Sequence, residues 1–260
     1  MRDPSLIERL RSWRHGFWFS ISRRVRWSRG TYREKPAGEL RNLDPEEAER
    51  VSTLRARYQV QFEQFLGLRS SKFNYEYLDI LDRAWQHWGR SPPHGGVVCD
   101  VGCASFWYAA AMYAFFRPQR LIGVEIEGHR LFRDGHARID YAAGYVAGVP
   151  NAEFAVADYA AFRQPSDTIT AWFPFVTATA ILGWRLPLSL LQPESLFSSI
   201  KHNLKPGGLF VMINHGPVEA ALASDYCIAA GLRSLGRWQD CGAISRYRPA
   251  PPVLSWWQHL

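Results

Sequence analysis

From residue 97 onward, short runs rich in β-branched and other apolar residues alternate with stretches whose apolar positions recur at helical spacing, the pattern of a parallel α/β sheet. Strands are predicted over 97–101, 121–125, 153–157, 168–173 and 209–213, and helices over 104–116, 129–143 and 195–203. In the second of these helices Leu131, Ile139 and Ala142 are the positions available to the sheet. Lys205-Pro206-Gly207-Gly208 marks the turn into the fifth strand. Pro217 suits the first turn of the next helix and Gly231 its stop, after which 233–239 and 243–248 read as two closing strands. The expected architecture is α/β: a doubly wound, seven-stranded, mostly parallel sheet.

Upstream, the spacing is helical. Asp44-Pro45-Glu46-Glu47 combines an N-cap acid, Pro at the first helical position and carboxylates facing the helix dipole, and Val51, Leu54, Tyr58, Phe62 and Phe65 follow at helical intervals. A second helix is predicted over 73–88, with Phe73, Tyr77, Leu81, Ala84 and Trp88 on one stripe. Closer to the N-terminus, Leu6, Leu10, Trp13, Phe17, Ile21 and Val25 also recur at helical spacing, with most arginines off that stripe. The division this suggests is a basic, aromatic-rich helical N-terminal extension over 1–93 and an α/β domain over 94–260.

Composition adds a location to the charge. The chain has 260 residues, 47% of them hydrophobic, which excludes disordered and disulfide-scaffold classes. Residues 1–35 hold ten basic side chains against Asp3, Glu8 and Glu34, an excess equal to the +7 of the whole chain. The body is therefore charge-balanced, and a basic face for nucleic acid on it is not implied. Cys99, Cys103, Cys227 and Cys241 form no C-x-x-C pair and have no His at zinc spacing, so buried thiols are expected and no metal site. Arg and His interrupt the N-terminal apolar positions too often for a secretory leader.

The candidate chemistry sits at strand ends. In Asp100-Val101-Gly102-Cys103-Ala104 an acid late in the first strand precedes a Gly at a helix N-terminus, which suits either a nucleotide-type cofactor or a plain tight turn. Glu125 ends the second strand, where a carboxylate can accept both hydroxyls of a ribose. Asp158, followed by Tyr159, lies just past the third strand, where it could accept from an adenine amino group. Each acid alone reads equally well as a solvated or capping residue; three at three successive strand ends favour a cofactor.

With these residues in place, the chain over 97 to about 250 resembles the class I S-adenosylmethionine-dependent methyltransferases. Asp100-Val101-Gly102-Cys103-Ala104 matches the family's acid-x-Gly-x-Gly turn, Glu125 and Asp158 its second- and third-strand acids, and Leu204-Lys205-Pro206-Gly207-Gly208 its turn before strand five. The resemblance implies a Rossmann-like fold, S-adenosylmethionine as cofactor, and Asp100, Gly102, Ala104, Glu125, Asp158 and Tyr159 as cofactor-binding positions. Ala104 replaces the family's second Gly, and Phe106 stands where a small residue is common, so a narrowed methionine pocket is expected.

Ala171-Trp172-Phe173-Pro174-Phe175 lacks the polar first residue of the Asn/Asp-Pro-Pro-aromatic motif found in members that methylate bases and protein amides. Trp172, Phe173 and Phe175 read either as substrate-pocket walls or as strand packing. His215, directly after strand five, is the candidate general base. The implied function is O- or N-methylation of a small molecule. Alternatives are methylation of RNA or protein guided by the basic arm, and a degenerate fold serving as a membrane or protein interaction module. Residues 1–35 read as a helix on an anionic membrane surface, a lid over the cofactor cleft, a mitochondrial transit peptide, or a helix packed on the body. A cytoplasmic protein, peripherally attached to membrane if the first of these holds, is expected, and nucleic acid is not an expected partner.

Overall fold

Five strands in parallel and two antiparallel to their neighbours build the sheet of this protein, in the order β3-β2-β1-β4-β5-β7-β6. The computed structural model describes residues 3–239, 244 and 251–260. In chain order the elements are α1 (Leu6–Val25), α2 (Pro45–Tyr58), α3 (Leu68–His87), β1 (Val97–Val101), α4 (Ala109–Phe116), β2 (Arg120–Glu125), α5 (Arg138–Val146), β3 (Ala152–Val156) and β4 (Ser166–Trp172). They continue with α6 (Ala178–Gly183), α7 (Pro193–Asn203), β5 (Leu204–His215), α8 (Gly216–Ala229), β6 (Arg233–Gln239) and β7 (Pro252–Gln258). Helices cover both faces of the sheet. On one, Leu78, Trp85, Phe115 and Phe116 of α3 and α4 pack with Val98, Leu121, Val211 and Trp256. On the other, Phe197, Ile200, Ala223 and Cys227 of α7 and α8 pack on Cys99, Ile122, Ile169 and Phe210. Complete burial of each large side chain contributes about 1.5–3 kcal/mol, so both layers matter.

The helices at 45–88 are a full layer of the sheet domain. Val51 and Leu54 of α2 share the core with Tyr75 and Leu78 of α3, and the core does not part at residue 93. Charge reinforces the α2–α3 joint: Asp82, 3% exposed, accepts from the Tyr58 hydroxyl at 2.7 Å, Arg57 at 2.7 Å and Arg50 at 2.5 Å. Burying that carboxylate is tolerable only because its oxygens are so thoroughly paired.

Several elements begin elsewhere than the apolar periodicity predicts. The helix expected from Ala104 starts at Ala109, because Gly102, Ala104 and Phe106 all adopt positive φ (69°, 51° and 52°), which no right-handed helix accommodates. The helix expected from His129 starts at Arg138, because 131–137 instead form a turn closed by a Leu131–Ala137 bridge with Gly135 left-handed. Leu131 is consequently exposed and does not face the sheet. α3 begins at Leu68, ahead of the expected Phe73. The strand expected over 243–248 lies outside the described residues apart from Ile244, and the strand that completes the sheet is β7, further along. Cys99, Cys103 and Cys227 are buried free thiols.

Between α1 and α2 the chain is fastened along α5. Asp140 accepts from the Ser28 hydroxyl and from the Arg29 backbone N–H at 2.9 Å, and its carbonyl accepts from the Tyr32 N–H at 2.9 Å. The Trp27 indole donates to the Gly135 carbonyl at 2.9 Å, and the Tyr32 ring packs on Tyr141. Gly144 is what allows this approach, since a Cβ there would drive into the Tyr32 carbonyl.

Candidate functional site

β1 pairs with β2 on one side and β4 on the other, so the chain order reverses beside β1 and leaves a crevice at the carboxyl ends of the strands. A cleft of about 1050 Å³ of empty space, its open mouth included, lies there. Gly102, Glu125, Asp158, Tyr159, Trp172, Phe173 and Phe175 all border it. Residues chosen from three separate strand ends and from the strand-four segment thus share one wall system. The far end is apolar, with Ile181, Trp184, Leu186 and Leu190 facing Phe175.

Gly102 follows β1 with φ +69°, and its N–H donates to the Val124 carbonyl at 2.8 Å, which curls the turn over the end of β2. A Cβ at this glycine would meet no atom of the described residues within 4 Å, so the glycine leaves open room where it borders the cleft. The turn is held from below by Glu125. Its Oε2 accepts the Ala104 N–H at 2.9 Å, and its Oε1 accepts the Glu127 N–H at 2.8 Å. Ala104 itself does not line the cleft; its contribution is this backbone donor. Phe106 does not narrow the cleft. Its ring fills the space left by Gly123 of β2, where a Cβ would meet Phe106 Cδ1 at 2.5 Å, and it is fully buried.

Asp100 is placed beneath the cleft rather than in its wall. It is completely buried, accepting from the Tyr108 hydroxyl at 2.6 Å and from the Thr170 hydroxyl. Burial pushes its pKa up to about 7; the hydrogen bonds from Thr170 and Tyr108 oppose this, and the charge of Glu125 adds to it. Asp158 is exposed at the cleft, its Oδ1 accepting from the Ala160 N–H at 3.0 Å. Tyr159 is buried beside it.

Two charged residues at the site escaped the sequence reading. Arg138, at the start of α5 and 3% exposed, lines the cleft with its guanidinium 3.2 Å from Glu125 Oε2 and 3.3 Å from Glu127 Oε2, under the Trp184 ring. Glu127 is also buried, which raises its pKa, while Arg138 and Arg130 pull it back. Glu127 was legible as the second acid of Glu125-Ile126-Glu127. Arg138 carried no local signal, because only the fold of 129–137 returns it to the end of β2.

His215 does not line the cleft. Its imidazole lies flat on Phe173, ring centroids 3.9 Å apart and planes 9° apart, and its backbone N–H donates to Glu219 at 2.9 Å. It buttresses a ring that does face the cleft. Trp172 is 6% exposed and packs on Tyr77, and its indole N–H, buried, has no acceptor among the described residues.

No family model and no curated protein matches the sequence. Solved structures do match in fold. A methyltransferase dependent on S-adenosylmethionine from Aquifex aeolicus superposes with a TM-score of 0.51 at 15% identity, over 70% of this chain and 91% of that one. The N-methyltransferase NodS from Bradyrhizobium japonicum, in complex with S-adenosyl-L-homocysteine, gives 0.50 at 14% identity over 81% and 98%. A putative sarcosine dimethylglycine methyltransferase from Galdieria sulphuraria gives 0.50 at 10% identity over 74% and 88%.

Proposed function

From a chain with the class I S-adenosylmethionine-dependent methyltransferase fold, we propose an enzyme that binds S-adenosylmethionine across the ends of β1, β2 and β3 and methylates a small acceptor at oxygen or nitrogen. The observation that carries this reading is that Gly102, Glu125, Asp158 and Tyr159 border one cleft with Trp172, Phe173 and Phe175. The residues fit the cofactor. Gly102 leaves room at the turn, Glu125 has acceptor capacity beyond its two backbone donors and Arg138, and the Trp172 N–H offers a donor without a partner among the described residues.

Glu125 would hold the ribose hydroxyls and Asp158 the adenine, with the turn at Gly102 beside the methionine part. When bound, the cofactor supplies an electrophilic methyl on a sulfonium. The protein's share is positioning and drying: Phe175, Ile181, Trp184, Leu186 and Leu190 exclude water at the acceptor end. The only titratable groups on the described wall are Glu125, Arg138, Asp158 and Tyr159. An apolar acceptor whose nucleophilic atom needs no dedicated base suits that wall better than one requiring His215.

Isothermal titration with S-adenosylhomocysteine tests the reading. Wild type should bind, and Glu125→Ala should weaken binding about 10- to 100-fold, the loss expected for charge-assisted hydrogen bonds of about 1.5–3 kcal/mol. Absence of binding at millimolar ligand, or binding indifferent to Glu125→Ala, removes the proposal.

A further inference from the structure

α1 presents its apolar side away from the protein. The face that docks is small and largely polar: His15, 5% exposed, places Nδ1 3.4 Å from the Leu186 carbonyl, the Ser12 hydroxyl accepts the Leu188 N–H at 2.9 Å, and Gly16 lies against Pro187. With 3.6 residues per turn, the stripe of Leu6, Leu10, Trp13 and Phe17 stands roughly 150° around the helix from Ser12, His15, Gly16 and Phe19. Those four are 74%, 61%, 75% and 53% exposed, and Ile7 and Trp18 beside them are 70% and 63% exposed. Docking of α1 on the body therefore covers Ser12, His15, Gly16 and Phe19 and leaves these six large apolar side chains without cover. A contiguous row of six large apolar side chains is not the scattered exposure normal for a soluble surface.

Charge identifies what covers it. α1 carries Arg9, Arg11, Arg14, Arg23 and Arg24 against Glu8 alone, while the chain beyond residue 35 is balanced. A second copy of α1 would bring ten arginines together across the contact. A nucleic acid would engage the arginines and leave the tryptophans in water. A surface with an apolar interior, an anionic face and a boundary that favours Trp satisfies all three features at once. We propose that α1 is an interfacial anchor that docks this protein on an anionic lipid bilayer, with Leu6, Leu10, Trp13 and Phe17 inserted and the flanking arginines at the headgroups. Among the described residues no helix is long and apolar enough to cross a membrane, so attachment is to the surface.

The orientation has a consequence for access. Leu186, whose carbonyl meets His15, and Leu190, just past Leu188, line the acceptor end of the cleft, and α1 itself contributes no residue to it. The docked bilayer is then one layer of protein from that end. The anchor and the cofactor site remain separable by mutation.

Flotation of the full chain with phosphatidylcholine vesicles, with and without phosphatidylglycerol, tests the anchor. Wild type should float with the anionic vesicles and not with phosphatidylcholine alone, less so as salt is raised. The triple substitution Leu10→Gln, Trp13→Gln, Phe17→Gln should abolish flotation, and Arg9→Gln, Arg11→Gln, Arg14→Gln together should weaken it about a hundredfold. All six side chains are on the outer part of α1, so circular dichroism should be unchanged, and S-adenosylhomocysteine titration should match wild type whatever the vesicles do. Flotation unaffected by the apolar triple variant overturns the proposal. So does a wild-type dimer that the same variant dissociates without any vesicle binding, which assigns the stripe to a second copy. Wild type that retains duplex DNA and ignores both vesicles overturns it in favour of nucleic acid.

Discussion

Asp100→Asn isolates the cost of enclosing one carboxyl at the end of β1. Folding raises this acid from its ordinary 3.8 to about 7, because burial outweighs the hydrogen bonds from Thr170 and Tyr108. Between those two values the native state holds a proton that the unfolded chain has released, so the native state loses stability as pH rises through the window and is most favoured below it. The full shift of about three pKa units corresponds to about 4 kcal/mol, of which about 2.5 kcal/mol falls between about pH 5 and about pH 8. Asn cannot ionise, and the two neighbouring hydroxyls can rotate to serve an amide as donors or acceptors. Urea denaturation of the ligand-free protein, followed by tryptophan fluorescence, should therefore show the stability difference between variant and wild type moving about 2.5 kcal/mol in the variant's favour from about pH 5 to about pH 8. Titrating groups that do not interact with Asp100 cancel in that difference. A difference that stays flat across the range, or that moves toward wild type, would falsify the assignment of Asp100 as a carboxyl charged against its surroundings.

Two further substitutions probe how the N-terminal third is attached. Asp82→Ala removes the shared acceptor of Arg50, Arg57 and Tyr58, and should cost about 3 kcal/mol in urea denaturation, toward the low end for a broken buried pair because Arg57 is partly exposed; a cost under about 1 kcal/mol means the cluster does not hold α2 to α3. Gly144→Ala pushes a methyl into the Tyr32 carbonyl and should cost about 1–3 kcal/mol while accelerating tryptic cleavage after Arg29 and Arg33, and an unchanged digestion time course would show that the 27–32 segment is not held at this glycine.

The parallel strands were readable because each is a short apolar run ending in a residue with a reason to be there. Gly102, Glu125 and Asp158 could be picked out for the same reason, since they close those runs. What could not be read depends on conformation or on distance in the chain. Nothing about Ala or Phe announces a positive φ, so the start of α4 was misplaced by the turn at Ala104 and Phe106. β7 begins at Pro252 after another proline, which weakens a strand signal that Val253, Leu254, Trp256 and Trp257 would otherwise give. Arg138 joins the site only through the 129–137 turn. In α1 the period marked an amphipathic helix, but not that the side of Ser12, His15, Gly16 and Phe19 would be the one docked, because period alone does not say which face meets the protein.

β7 follows β6 in the chain yet lies between it and β5, pairing antiparallel with both. Among the described residues β6 has no other neighbour in the sheet, so the ladder seen here forms only once residues 252–258 have been made and inserted. During synthesis at about 5–20 residues per second, the parallel half of the sheet can assemble while β6 waits, and the exposed edge of β5 is the surface on which assembly is completed. Trp256 of β7 also stacks on Trp88 beside α3, at 4.7 Å between ring centroids. The last strand to arrive thus closes both the sheet and the helical layer laid down first, and a nascent chain halted short of it would carry an open strand edge of the kind that chaperones shield.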